Sequence, residues 1–305
     1  MNFNDLIKGP VIPVPTFFNA DESVNFNDLT EYVEFLSSSK IETVMTTVGT
    51  SRYNLLSWDE IKHNNKALVD GCGKSTQSIV ANPTVGGIKN TIEFGKHAQE
   101  IGADYFLVYF PDRFYGEENT FNFFEALAKE LKIKILIHEM PIRNGIGSGN
   151  VQYSIDLLEK LFNIDTIVGV KEESLDPKYS NQIVQNFSNE YIIIGAGGGM
   201  SRYLNRDFER NSSAFLGGIG NFNPSLELDF FNSLTSGKIE HAKKIVNDIE
   251  LKYFEKVVPL GWHPSLKVAI HHKGFGSIYE RRPMKIFNEN EINYVHTTLK
   301  MFNLI

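Results

Sequence analysis

The chain is nearly devoid of cysteine, with Cys72 as the single thiol in 305 residues. One thiol excludes an intrachain disulfide and fits a reducing cytoplasm. Its setting, Gly71-Cys72-Gly73-Lys74, offers nothing that would activate a nucleophile. Long hydrophobic runs are absent too; the apolar stretches are strand-sized, far short of a bilayer span. The opening residues, Met1-Asn2-Phe3-Asn4-Asp5, lack the basic and apolar regions of a secretory signal. No basic block occurs and the formal net charge is −7, so neither a nucleic acid nor a membrane is expected as a partner. Eight histidines are present. None falls in a His-x-x-x-His or carboxylate–histidine pattern at a strand end, so no metal is expected. Linkers, low-complexity tracts and short-period repeats are also missing.

What is there is ordinary globular composition, 42% hydrophobic and 22% charged. Strand-like runs alternate with helix-like runs. The predicted strands are Gly9 to Thr16, Glu42 to Thr47, Gln77 to Ala81, Asp104 to Phe110, Ile133 to His138, Thr166 to Lys171, Tyr191 to Gly195 and Ser213 to Gly217. Between them lie amphipathic segments, clearest over Gly87 to Gly102, where Ile88, Ile92, Phe94, Ala98 and Ile101 fall near helical spacing. Repeated β-α units imply a parallel sheet flanked by helices, and eight of them at this length favour a closed (β/α)8 TIM barrel of the α/β class. After Ser225 the strand signal stops. The expectation is a barrel over residues 1–225 and a C-terminal helical extension over 226–305 packed on it.

Lys171 is the residue that carries most chemistry. It ends the apolar run Thr166-Ile167-Val168-Gly169-Val170, which reads as a buried strand. A buried site disfavours the ammonium and frees the amine to attack a carbonyl. The bland alternative is a lysine that snorkels to water or pairs with Glu172 or Glu173. Catalytic groups of such barrels project from the C-terminal strand ends. Lys171 shares that face with His138, after the fifth strand, and with Thr50 and Ser51, after the second. It shares it also with two glycine-rich turns, Gly195-Ala196-Gly197-Gly198-Gly199 and Gly217-Gly218-Ile219-Gly220-Asn221. Thr50 and Ser51 offer donors for a carboxylate, against a reading as plain turn residues. Gly197 and Ile219 mark where backbone would approach a ligand. Turns seven and eight are also where barrels often hold phosphate, so a phosphosugar enzyme is a rival, though no Lys or Arg precedes the first run.

At this point the chain resembles the dihydrodipicolinate synthase / N-acetylneuraminate lyase family. The resemblance rests on Gly9-Pro10-Val11-Ile12-Pro13-Val14-Pro15-Thr16-Phe17-Phe18, on Gly86-Gly87-Ile88 through Ala103-Asp104, and on Gly169-Val170-Lys171-Glu172. His263-Pro264-Ser265-Leu266-Lys267 and Arg282-Pro283-Met284 extend it towards the C-terminus. It implies a class I aldolase in which Lys171 forms the Schiff base with a 2-oxo acid, with no other cofactor, in a homodimer or homotetramer. It also implies that Arg143 anchors a substrate carboxylate; the rival is a solvated loop arginine.

Two departures bear on the activity. His138 stands where the family has its proton-shuttling tyrosine, in His138-Glu139-Met140-Pro141. An imidazole titrates near neutrality, so His138 is expected to take over the proton transfer rather than sit as a satisfied core histidine. The second-strand turn reads Gly49-Thr50-Ser51-Arg52 in place of Gly-Thr-Thr-Gly-Glu, and Arg52 is expected as a cation near the site entrance. Both changes point away from lysine-pathway condensation. They favour aldol cleavage or dehydration of a 2-keto-3-deoxy sugar acid. A 4-hydroxy-tetrahydrodipicolinate synthase is the alternative within the family, and a catalytically inactive ligand-binding barrel the alternative outside it.

Overall fold

The computed structural model describes residues 7–84, 86–109, 116–139, 153–174, 176–206 and 212–305. Eight strands run β1 Gly9–Pro13, β2 Thr43–Met45, β3 Gln77–Ala81, β4 Tyr105–Tyr109, β5 Lys134–Glu139, β6 Ile167–Glu172, β7 Ile192–Gly195 and β8 Ala214–Leu216. Each pairs in parallel with its sequence neighbours, and β1 pairs with β8, which closes the barrel. All eight lie within the ranges expected from the sequence, give or take a residue at their ends. The (β/α)8 TIM barrel is therefore the fold.

Helices α1 Phe26–Ser38, α2 Trp58–Gly71, α3 Ile88–Glu100, α4 Glu117–Glu130, α5 Ile155–Phe162, α6 Pro177–Phe187 and α7 Gly199–Asn205 follow the first seven strands. Helix α1 buries Leu29, Tyr32, Val33 and Leu36, a 3–4 spacing that puts one stripe against the sheet. Helix α2 begins at a reciprocal cap: Ser57 accepts from the Glu60 amide, and the Glu60 carboxylate accepts from that of Ser57. Helix α8, Pro224–Thr235, packs on β1 and α7. The sequence had counted this segment with the extension. By its packing it completes the eighth β/α unit, because β1, next to β8 in the closed ring, needs a cover on its outer face.

Apolar side chains divide into two sets. Val11, Met45, Ile79, Leu107, Leu136, Ile192 and Ala214 fill the barrel interior. Ile12, Val44, Val80, Phe106, Ile137, Val170 and Ile193 face the helices. The alternation slips in one place. Ile135 pairs with Ile167 but Leu136 with Gly169, so Val168 is an extra residue in β6. Ile167 faces the helices and Val168 the interior, yet Val170 again faces the helices. This bulge resets the parity that brings Lys171 inward. Gly169 allows it: a Cβ there would run into the backbone of Ile192 on β7.

After α8 come α9 Ile239–Lys244, a π-helical segment Ile245–Glu250, α10 Leu251–Val257, α11 Trp262–His272 and α12 Glu289–Met301. No helix among the described residues is long and apolar enough to cross a membrane.

Candidate active site

Strand register sets the centre of the site. His138 on β5 pairs directly with Lys171 on β6. Both residues are 1% exposed. The Lys171 Nζ lies 2.8 Å from His138 Nε2 and donates to Glu173 Oε2 at 2.5 Å, while His138 Nε2 lies 2.9 Å from the same carboxylate oxygen. Three titratable groups thus meet within hydrogen-bond reach of one another. His138 Nε2 accepts from a charged Lys171 in one tautomer and donates to Glu173 in the other, so a proton can pass among the three. Burial alone would raise the Glu173 carboxyl. The Lys171 ammonium, with the hydrogen bond and charge of His138, outweighs it and holds the group well below the usual carboxylate range. The ring of Tyr109, paired with His138 across β4 and β5, lies 4.6 Å from the imidazole centroid to centroid.

Of the two carboxylates considered as partners for Lys171, Glu173 is the one used. Glu172 points the other way and forms a buried ion pair with Arg202 of α7. Burial raises its carboxyl, against the opposing pull of Arg202. Parity along an extended chain separates the two: Glu173 lies on the side of Lys171, two residues back, and Glu172 on the opposite side. That signal was in the sequence and went unused.

A cavity of about 420 Å³ opens above this cluster. Lys171, Glu173, Thr50 and Gly197 line it, together with Asn221 and His263, which sequence reasoning had not assigned to the site. Ser51 does not line it. Its hydroxyl donates to the Val14 carbonyl at 2.7 Å and its own carbonyl accepts from Thr16, so it holds the turn in place. Ile219 is also displaced from the expected role, being fully buried in the outer core while Asn221 of the same turn reaches the cavity. Arg143 and the rest of the loop 142–149 lie outside the described residues.

Arg52 is not the entrance cation expected. It adopts the left-handed region at φ 55°, is buried, and donates to Glu280 at 3.3 Å and to His263 Nδ1 at 3.1 Å. The turn geometry sends it under the extension, to partners more than two hundred residues away.

The glycine turns are built for close approach, though by carboxylates of the chain itself. Glu227 of α8 accepts from the amides of Gly218, at 3.2 Å, and Gly220, and a Cβ at Gly217 or Gly220 would strike that carboxylate. Glu250 accepts from the Met200 amide at 2.9 Å, beside Gly199 at φ +57°. Three amides that a phosphate would use at these turns are already engaged. Burial pushes Glu227 up to about 7, and burial with the nearby Glu227 charge pushes Glu250 up to about 8. Much of the remaining wall is apolar: the extension supplies Phe254, Val258, Trp262 and Leu266, and the barrel supplies Pro13, Val48 and Leu216.

Comparison with known proteins gives the family. A family model described as the dihydrodipicolinate synthetase family matches residues 6–302. A 4-hydroxy-tetrahydrodipicolinate synthase from Brachyspira hyodysenteriae is 22% identical, over 98% of this chain and 99% of its own. The crystal structure of an N-acetylneuraminate lyase from Fusobacterium nucleatum superposes with a TM-score of 0.86 at 20% identity, covering 97% of this chain and 99% of that one. A prophage protein of the dihydrodipicolinic acid synthase family from E. coli K12, in complex with pyruvate, gives 0.83 at 18% identity, covering 98% and 99%. The ordered strands, the strand-end lysine and a match along nearly the whole length lead to one assignment: the chain belongs to the dihydrodipicolinate synthetase family.

Proposed function

We propose that the protein is a Schiff-base-forming lyase that cleaves or dehydrates a 2-keto-3-deoxy sugar acid, with Lys171 as nucleophile and His138 and Glu173 as its proton relay. The observation that carries this reading is the three-group contact of Lys171, His138 and Glu173, of which Lys171 and Glu173 line the cavity and His138 lies against them.

Lys171 must first be neutral, and Glu173 or His138 is placed to take its proton. The amine adds to the C2 ketone to give a carbinolamine, which loses water to an iminium. The iminium draws electrons from C3. In dehydration a base removes a C3 proton, and the resulting enamine expels the C4 hydroxyl as water after protonation. In cleavage the base takes the C4 hydroxyl proton instead. The C3–C4 bond then breaks, leaving an aldehyde and the enamine of pyruvate, which takes a proton back at C3 to become the pyruvate iminium. Both routes end with hydrolysis of the iminium, so the lysine is regenerated and no further cofactor is consumed. Thr50 lines the same cavity and would offer its hydroxyl and amide to the substrate carboxylate. As part of the same reading, the enzyme is cytoplasmic and a homodimer or homotetramer.

The name of the Brachyspira relative makes condensation of pyruvate with aspartate semialdehyde the competing reading. Against it, His138 stands where the synthase-type site has a tyrosine. Borohydride trapping decides the chemistry. Wild type incubated with pyruvate or with 2-keto-3-deoxy sugar acids should gain the mass of a reduced adduct, and Lys171→Ala should gain none. Turnover assays then rank sugar acids against aspartate semialdehyde plus pyruvate. Efficient condensation without turnover of any sugar acid would overturn the substrate assignment. Absence of any adduct in wild type would leave an inactive ligand-binding barrel.

A further inference from the structure

We infer that the cavity wall formed by His263 is an anion subsite, built for a second anionic group on the substrate, a carboxylate or a phosphate, beyond the carboxylate of the 2-oxo acid. The assignment rests on the lyase reading for the position of the first carboxylate. It narrows the substrate to an acid charged at both ends.

His263 comes from the start of α11, outside the barrel, and lines the same cavity as Lys171. Its Nδ1 faces the Arg52 guanidinium, which can only donate. Nδ1 is therefore the acceptor, and the ring proton sits on Nε2, free to donate to a ligand. The tautomer is fixed by the chain itself.

Behind the imidazole lies a buried cluster with an odd number of charges. Arg52 and Lys267 share one carboxylate, that of Glu280, at 3.3 Å each. The side chains of Lys267 and Glu280 are 2% and 0% exposed. Two cations and one carboxylate leave one positive charge uncompensated in a region of low polarity, where its field is strong. His263 itself is held neutral beside this cluster, chiefly by its burial. Burial, followed by the charges of Arg52 and Lys267, pushes the imidazole down to about 4. A neutral imidazole still donates from Nε2, and the surplus cation behind it supplies the charge that an anion would meet.

Depth rather than side separates this wall from the first carboxylate, because Thr50, which would hold that carboxylate, leaves the same turn after β2 as Arg52. The first carboxylate of a bound 2-oxo acid is attached to the carbon bonded to Lys171 Nζ, deep in the barrel. His263 is only half-buried, at the mouth. A cavity of about 420 Å³ holds more than a three-carbon acid, so a longer chain can span the two.

Isothermal titration of the wild-type protein with matched pairs tests this. The pairs are 2-oxohexanedioate against 2-oxohexanoate, and 2-oxopentanedioate against 2-oxopentanoate. A third pair, 2-keto-3-deoxygluconate with and without a 6-phosphate ester, distinguishes a phosphate from a carboxylate. At least one doubly charged member should bind about 10- to 100-fold tighter than its partner. The ratio should fall towards one in His263→Phe and in Arg52→Gln, each checked for an unchanged circular dichroism spectrum. Equal binding within every pair of wild type, or a preference that survives both substitutions, overturns the inference. If His263 held only the first carboxylate, both members of a pair would weaken together and the ratio would stay. Pyruvate trapping, run alongside, reports on the lyase reading separately. A trapped adduct with flat pairs removes the anion subsite alone, whereas a charge preference without an adduct removes the lyase alone.

Discussion

At the level of single residues, the site is a problem in proton ownership. Lys171, His138 and Glu173 share two short contacts to one carboxylate oxygen and one between the nitrogens. The sequence disclosed the two nitrogen bases, because each ends an apolar run on the face where barrels do chemistry. It left Glu173 open against Glu172, although parity with Lys171 would have chosen between them, and it gave no orientation for Ser51 and Ile219, because turn residues carry no periodicity. Removing the imidazole should separate the steps: His138→Phe is expected to lower turnover by about 10²- to 10⁴-fold while still yielding a borohydride-trapped adduct. A wild-type rate in that variant would reduce His138 to packing. The carboxylate has its own signature. Its pKa is depressed by folding, so its contribution is present above the unfolded value near 4.3 and disappears as pH falls through the folded one. Glu173→Gln should therefore be less stable than wild type at pH 7, by about 3 kcal/mol, because the Lys171 charge loses its partner. Urea denaturation should show that gap closing in acid. A gap independent of pH would mean that Glu173 is not ionised in the fold.

Among the elements, the C-terminal helices do what the barrel turns cannot do alone. Glycines in turns seven and eight leave room for Glu227 of α8 and Glu250 of the π-helical segment to seat against backbone amides. The glycines were legible as points of close approach, but the approaching group was not, since nothing local in Asn247-Asp248-Ile249-Glu250 marks one carboxylate as buried. The extra residue per turn of a π segment suits such local redirection. Both carboxyls have folded values above the unfolded one, so each binds its proton more tightly when folded. Their stabilisation is greatest in acid and is lost as pH rises from about 4.3 through about 7 for Glu227 and about 8 for Glu250. Wild type should accordingly lose stability between pH 6 and pH 9. Glu250→Gln, which keeps an acceptor for the Met200 amide and cannot ionise, should flatten that decline by on the order of 2 kcal/mol. Thermal melts at both pH values check it; parallel curves for the two proteins would show that Glu250 is already ionised in the native state.

Across the whole molecule, barrel and extension are joined by charge as well as by apolar contact. The barrel was legible because eight strands and their helices repeat a local pattern, and the closure of β8 on β1 follows from that count. The role of the extension was not legible, because its partners are remote: Glu280 meets Arg52 across 228 positions, and no window of sequence contains both. Arg52 looked like an entrance cation for the same reason. The cluster makes a specific demand on stability. Glu280 neutralises one of two buried cations, and its removal would leave both unpaired in a dry environment. Glu280→Ala should cost about 3–5 kcal/mol in urea unfolding. Arg52→Ala alone also breaks a pair, yet it leaves Lys267 and Glu280 matched one to one, so its cost should be smaller. In the double variant the second substitution removes a cation that the first had stranded. The two losses should therefore fall short of their sum by more than about 1 kcal/mol. Additivity within about 0.5 kcal/mol would show that the second turn and the extension do not act as one electrostatic unit, and would weaken the case for a shared positive field at His263.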